Sequence, residues 1–185
     1  MKENVTSPTE RLRPLVRVRQ IRDFASESVS EAELQALTEV ARWSGSSSNE
    51  QPWRFIAIRR PETIRALAEA YMPSSRALQT AAAAIAIVVP DEPGKAAMRA
   101  YDEGRAAERI LIGATTLGLG AAISWVWAEA RPAVKQLLAV PDGWLVRTIM
   151  AIGHPSDAAR QPKSAPGTAR RPRDESVFEE RWPAH

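Results

Sequence analysis

A mixed α/β domain, with helices packed on one central sheet, is predicted by three features of the chain. Helical and extended patterns alternate in the order helix, strand, helix, strand, long helix, strand, short helix, strand. The 185 residues are 44% apolar, which suffices for one domain with its own core and exceeds the size at which small folds need disulfide or metal staples. Capping residues, prolines and glycines punctuate the pattern where one element should give way to the next.

Ser30 and Glu33 stand at capping-box spacing ahead of Leu34, Leu37, Val40 and Ala41, predicting a helix over 31–43. The loop "SGSSSNEQP" follows, and the β-branched and aromatic residues after it predict a strand over Trp53 to Ile58. Pro61 opens a short helix through Ala70. "AAAAIAIVVP" fits either period, but the dense Ile and Val before Pro90 favour a buried strand over Ile85 to Val89. One central helix is expected between Gly94 and Gly118, with Met98, Tyr101, Arg105, Ile110 and Leu117 set among charges. Residues 121–130 read as short and extended, Pro132 opens a helix of one to two turns, and 145–153 is the last strand. Beyond His154 the chain is proline-rich and poor in apolar residues until Val177, Phe178 and Trp182, so this tail needs another surface to lie on.

Composition removes several chemistries. Without cysteine there is no disulfide, thiolate metal site, iron–sulfur cluster or Cys nucleophile, and His154 and His185 are too few for a multi-histidine metal centre or a Ser-His-Asp triad. Whatever reaction occurs is expected to belong to a cofactor. The opening residues hold no signal-peptide core, and the longest apolar run, Ala81 to Val89, is under half of the ~20 residues a membrane span requires. A cytoplasmic protein with no membrane partner is expected. Residues 11–22 carry five arginines and no acid, and 160–173 carry four arginines and a lysine, again with no acid. Those cations outnumber the net charge of +3, so the rest of the chain is acidic, a contrast that suggests an anionic ligand or partner.

Three stretches invite a chemical reading. "GLG" at 118–120 lacks the third glycine of a dinucleotide fingerprint, since Ile123 stands there, and it closes a helix where the fingerprint opens one. In "RVRQIRDF" three arginines within six residues could grip a phosphate, or form a solvated basic face. Nucleic acid is disfavoured because no aromatic residue is interleaved with either basic segment. "SGSSSNEQPWRF" places more hydroxyl and amide groups ahead of a strand than a turn needs, and these suit the polar edge and linker of a nucleotide-like ligand.

Together with "DEGRAAERILIGATTLGLGAAISWVW", "VPDGWLVRTIMAIGHP" and "ARRPRDESVFEERW", these stretches resemble the nitroreductase family of flavoproteins, in the same order and over nearly the whole chain. The resemblance implies an α+β fold with a central, mostly antiparallel sheet flanked by helices. It further implies one domain over 1–185 whose extended arms, 1–14 and 156–185, embrace a partner in a domain-swapped homodimer with two FMN sites at the interface. Arg19, Gln20 and Arg22 would surround the FMN phosphate and ribityl chain. The family carries an arginine at Val18 and a serine at Gln20, so Arg17 or Arg19 would take over that contact. Gly45, in place of the usual proline, with Ser46, Ser47 and Asn49 would reach the flavin from the other subunit, with Gln51 close behind. Trp125 to Ala128, including Trp127, would lie along the isoalloxazine edge, and Arg170 and Arg171 would close over the phosphate.

The resemblance implies that NADH or NADPH reduces the flavin at N5 and that a small flat acceptor, nitroaromatic, quinone or similar, then takes the electrons, so that no side chain need act as a catalytic residue. Related flavin oxidations, such as dehydrogenation of azolines or cyclic dipeptides, belong to the same family. Two other readings stay open on the sequence: a non-enzymatic basic module binding RNA or another polyanion, and a protein that stores or senses FMN without turnover.

Overall fold

The computed structural model describes residues 7–70, 75–161, 164–165 and 167–183; the outer part of the expected N-terminal arm, Lys163 and His185 lie outside them. Two strands in which nearly every side chain is apolar form the middle of the sheet. β2 (Ala83–Pro90) and β4 (Trp144–Gly153) pair with each other, and β1 (Arg54–Ile58) and β3 (Gly120–Trp125) complete the order β1-β2-β4-β3. Every pairing among the described strands is antiparallel. β2 begins two residues before its predicted start, because the small Ala83 and Ala84 fit between the helices on either side of a doubly covered sheet.

Strand alternation sends one set of side chains to each face. α2 (Glu31–Arg42) and α4 (Ala96–Thr116) cover one, burying Leu37, Ala41 and Ile110 against Ile85, Ile87, Met150 and Ile152. α3 (Pro61–Ala70) and α5 (Arg131–Leu137) cover the other, with Leu67 and Val134 against Val88, Val146 and Ile149. The predicted caps are in place. Ser30 and Glu33 form a reciprocal capping box, and Gly118, at φ 75°, ends α4 with its N–H on the Thr115 carbonyl and the Leu119 N–H on that of Ala114. No helix among the described residues is long and apolar enough to cross a membrane.

The N-terminal segment departs from expectation. Residues 8–14, predicted to be extended, belong to α1 (Pro8–Val16), where Ser7 and Glu10 make a second capping box and Pro8 occupies the first helical turn. None of its residues is buried, and Leu12, Leu15 and Val16 share an exposed apolar stripe. At the other end, α6 (Asp157–Arg160) is a single turn capped by Ser156, and the described residues beyond it are almost all exposed, with Phe178 and Trp182 stacked edge to face at 4.9 Å.

The arginine-rich segment after α1 lies along the free edge of β3. Ile21 donates its N–H to the Ala121 carbonyl at 2.9 Å, Gln20 Oε1 accepts from Ile123 N–H at 3.1 Å, and Phe24 bridges to Pro155. This covers an edge that would otherwise be open to another strand. The approach is close: a Cβ at Gly153 would sit 2.9 Å from both Cβ and Cγ of buried Phe24. Gly153→Ala is therefore expected to destabilise by about 1–3 kcal/mol, read as a lower urea midpoint with an unchanged slope; an unshifted midpoint would refute the contact.

Candidate active site

Because residues 17–22 must follow the β3 edge, their charged side chains project beside it. Gln20 and Ile21 bond the β3 edge, Arg17 caps the end of α1 just before them, and Arg19 reaches to α6. The result is a cleft of about 1140 Å³ lined by Arg17, Arg19, Gln20, Arg22, Arg160 and Arg170, with Glu108 and Leu111 of α4 on its wall. The two acid-free segments, far apart in sequence, thus meet in one place.

The cations do not all have the same freedom. Arg19 reaches across to donate to the carbonyls of Ala159, at 2.5 Å, and Arg160, at 3.2 Å, so it caps α6 and holds that turn over the cleft. Arg22 donates to Gln20 Oε1 at 2.9 Å, the same oxygen that takes the Ile123 N–H, so Gln20 orients Arg22 against the strand edge. Arg170 bonds only to its neighbour's carbonyl among the described residues. Arg171 is turned away from the cleft, 82% exposed and 3.9 Å from Glu175. Arg160, part of the C-terminal basic segment, reaches the cleft through the turn of α6, which no periodicity in the sequence marks.

The hydroxyl-rich loop is elsewhere. Gly45, Ser46, Ser47, Asn49 and Gln51 lead into β1, at the opposite edge of the sheet from β3, and none of them lines the arginine cleft. Three inter-strand spacings, roughly 14 Å, separate the two edges. Ser48, Asn49 and Gln51 have φ of 48°, 55° and 50°, left-handed backbone that is uncommon outside glycine. Trp125 and Trp127 lie at the far end of β3, 44% and 56% exposed, on either side of fully buried Val126.

Beneath these surfaces lies a buried ion pair that sequence reasoning missed. The β2–β4 register shifts between Ile87 and Val88, leaving Arg147 as the extra residue of a bulge. Bulges re-aim side chains, and this one turns Arg147 toward α4, where its Nε and Nη2 both bond Glu103 Oε2. A lone charge inside an otherwise apolar strand was the available signal. Burial pushes the Glu103 carboxyl above the ordinary carboxylate range, against the lowering pull of Arg147 and then Arg131.

A raised folded value has a definite sign in stability. Glu103 contributes most below the unfolded carboxylate value, and that contribution is lost as pH rises through the raised folded value. The native chain should therefore lose stability relative to Glu103→Gln between acid and neutral pH. Paired urea titrations across that range would read the trend, and a flat or opposite difference would contradict it.

Known proteins agree with this architecture. A profile described as "Nitroreductase family" matches residues 16–88, and the chain is 30% identical over 143 residues to "Putative NADH dehydrogenase/NAD(P)H nitroreductase" of Archaeoglobus fulgidus, covering 75% of this chain and 82% of that one. The chain belongs to the nitroreductase family. Two solved structures share the nitroreductase-family fold. The "Putative NADH Oxidase" of Clostridium acetobutylicum superposes with a TM-score of 0.79 at 23% identity, over 91% of this chain and 99% of that one. An "FMN-dependent Nitroreductase" of Clostridium difficile gives 0.75 at 24% identity, over 90% and 97%. Family membership makes the chain an oxidoreductase.

Proposed function

We propose that this nitroreductase-family protein is an FMN-dependent oxidoreductase that draws electrons from NADH or NADPH and delivers them to a small flat acceptor such as a nitroaromatic or a quinone. The observation that carries the reading is the cleft in which Arg17, Arg22, Arg160 and Arg170 gather with a single carboxylate, Glu108. Clustered guanidinium groups match a phosphate dianion in charge and in hydrogen-bond geometry. The cleft is larger than the upper end of ordinary ligand pockets, about 1,000 Å³, which leaves room beyond the phosphate for the rest of a flavin mononucleotide. The residues present fit that group.

When bound, FMN supplies the redox chemistry, which the side chains of this chain lack. The protein's part is binding and orientation. Arg22, steadied by Gln20, and Arg170 bind the phosphate; Arg19 holds α6 and so keeps Arg160 at the rim. Trp125 and Trp127, exposed at the end of β3 and just beyond it, would shield a flat ring from water if the flavin extends that far from the arginines.

The placement of the hydroxyl-rich loop favours a homodimer. One chain holds the arginines at the β3 edge and the loop at the β1 side, so each site would be completed by Gly45, Ser46, Ser47 and Asn49 of a second copy. Exposed α1 and the Phe178–Trp182 tail then have a surface to cover.

Absorption spectroscopy of the purified protein, followed by anaerobic addition of each nicotinamide, tests the reading. Flavin bands that bleach on reduction are expected. Absence of those bands even after FMN is added would sink it, and a flavin that stays oxidised would leave storage without turnover. A monomer at saturating FMN in sedimentation would remove the two-chain site.

A further inference from the structure

The loop at 46–51 runs through three left-handed residues in four positions, a course that a short polar segment does not hold by itself. Beyond bonds within the loop, its charged ties come from the start of α4 and the residue before it. Asp102, 1% exposed, accepts the Ser47 N–H on Oδ1 at 3.0 Å, at the start of the turn formed by Ser47–Asn49. Arg99, 3% exposed, donates to Glu50 at 2.7 Å and to Glu92, and Lys95 adds a second bond to Glu50 at 3.1 Å. Asp102 Oδ2 lies 3.8 Å from Arg99 Nη1, so the carboxylate and the guanidinium that grip the two ends of the turn also face each other. Within the loop, Ser46 Oγ accepts the Gln51 N–H at 2.9 Å.

A loop fastened only by its own hydroxyls would not need a buried acid and a buried arginine, both costly to desolvate. Their cost is offset where they satisfy a specific donor and acceptor in a fixed place. We propose that Asp102 and Arg99 are positioning residues that lock the loop 46–51 in its left-handed course, and thereby set the affinity of the flavin site that this loop completes in the partner chain. The proposal rests on the flavin reading above.

The test uses the full-length protein and two readouts. Amide hydrogen exchange, measured without FMN, follows Ser47, Asn49, Glu50 and Gln51; titration of the FMN-free protein by flavin fluorescence gives the FMN Kd. Asp102→Ala removes the acceptor for Ser47, and Glu50→Ala, at a more exposed position, removes the loop's tie to Arg99 and Lys95. Both should speed exchange at Asn49, Glu50 and Gln51 about tenfold or more and raise the FMN Kd by a similar factor, as expected for loss of a charge-assisted bond. Exchange in β2 should not change. Asp102→Asn keeps an oxygen for the Ser47 N–H and should restore both readouts most of the way.

Unchanged loop exchange in both alanine variants, or equal acceleration in the loop and in β2, would overturn the lock. Faster loop exchange with an unaltered FMN Kd would overturn the positioning role. Failure of the native protein to bind FMN would sink the flavin reading and the positioning role with it, while the exchange data would still report whether the loop is locked.

Discussion

Arg147→Ala is expected to destabilise the fold by about 3–5 kcal/mol at neutral pH, the cost of leaving a buried charge without its partner. Arg147 and Glu103 are 11% and 4% exposed at their side chains, and Glu103 Oε1 has no hydrogen-bond partner among the described residues, so little else is at hand to compensate. Glu103 already sits above the ordinary carboxylate range because of burial, and loss of the guanidinium that lowers it would push it further. The variant's deficit should therefore shrink in acid, where Glu103 is neutral in both states, and grow as pH rises. Replacing both partners with apolar residues, Arg147→Met with Glu103→Leu, should recover most of the loss, since no charge is then left buried. Urea denaturation of the native chain and these two variants at acid and neutral pH would check this. A deficit in Arg147→Ala that does not depend on pH would show that the ion pair is not its source.

Removing Arg22 and Arg170 together should all but abolish flavin retention. Each guanidinium that makes a charge-assisted bond is worth roughly 1.5–3 kcal/mol. The pair, contributed by opposite ends of the chain to one cleft, should thus raise the FMN Kd by about two to four powers of ten if the losses add. Arg171→Ala is the internal comparison, because Arg171 pairs with Glu175 outside the cleft and should leave the Kd nearly unchanged. Unaltered flavin content after Arg22→Ala and Arg170→Ala would refute the phosphate assignment, whatever the fold.

Much of the architecture was legible because local and tertiary requirements agree. Ser30 with Glu33 starts α2, Gly118 ends α4, and the Ile and Val before Pro90 mark a buried strand, which is how 85–89 could be read as a strand while the alanines that begin it at Ala83 could not. Residues 8–14 read as an extended arm although Ser7, Pro8 and Glu10 carry the same start signal, and among the described residues no side chain of α1 is buried. That Arg170 and the arginines at 17–22 line one cleft agrees with the expectation drawn from the resemblance, whereas the place of Arg160 depends on how Arg19 caps α6, and Arg171 lies 3.9 Å from Glu175 instead.

By itself the sequence determined the order of the central helices and strands and carried the resemblance to the family, since these follow from residue type and spacing. Tertiary structure decided which charges face one another. A bulge in β4 turns Arg147 onto Glu103, the free edge of β3 lines up the arginines, and α4 grips the loop through Asp102 and Arg99. The reason is physical: hydrophobic periodicity records which face of an element is covered, whereas a hydrogen bond between residues distant in sequence depends on register and approach that no local pattern encodes.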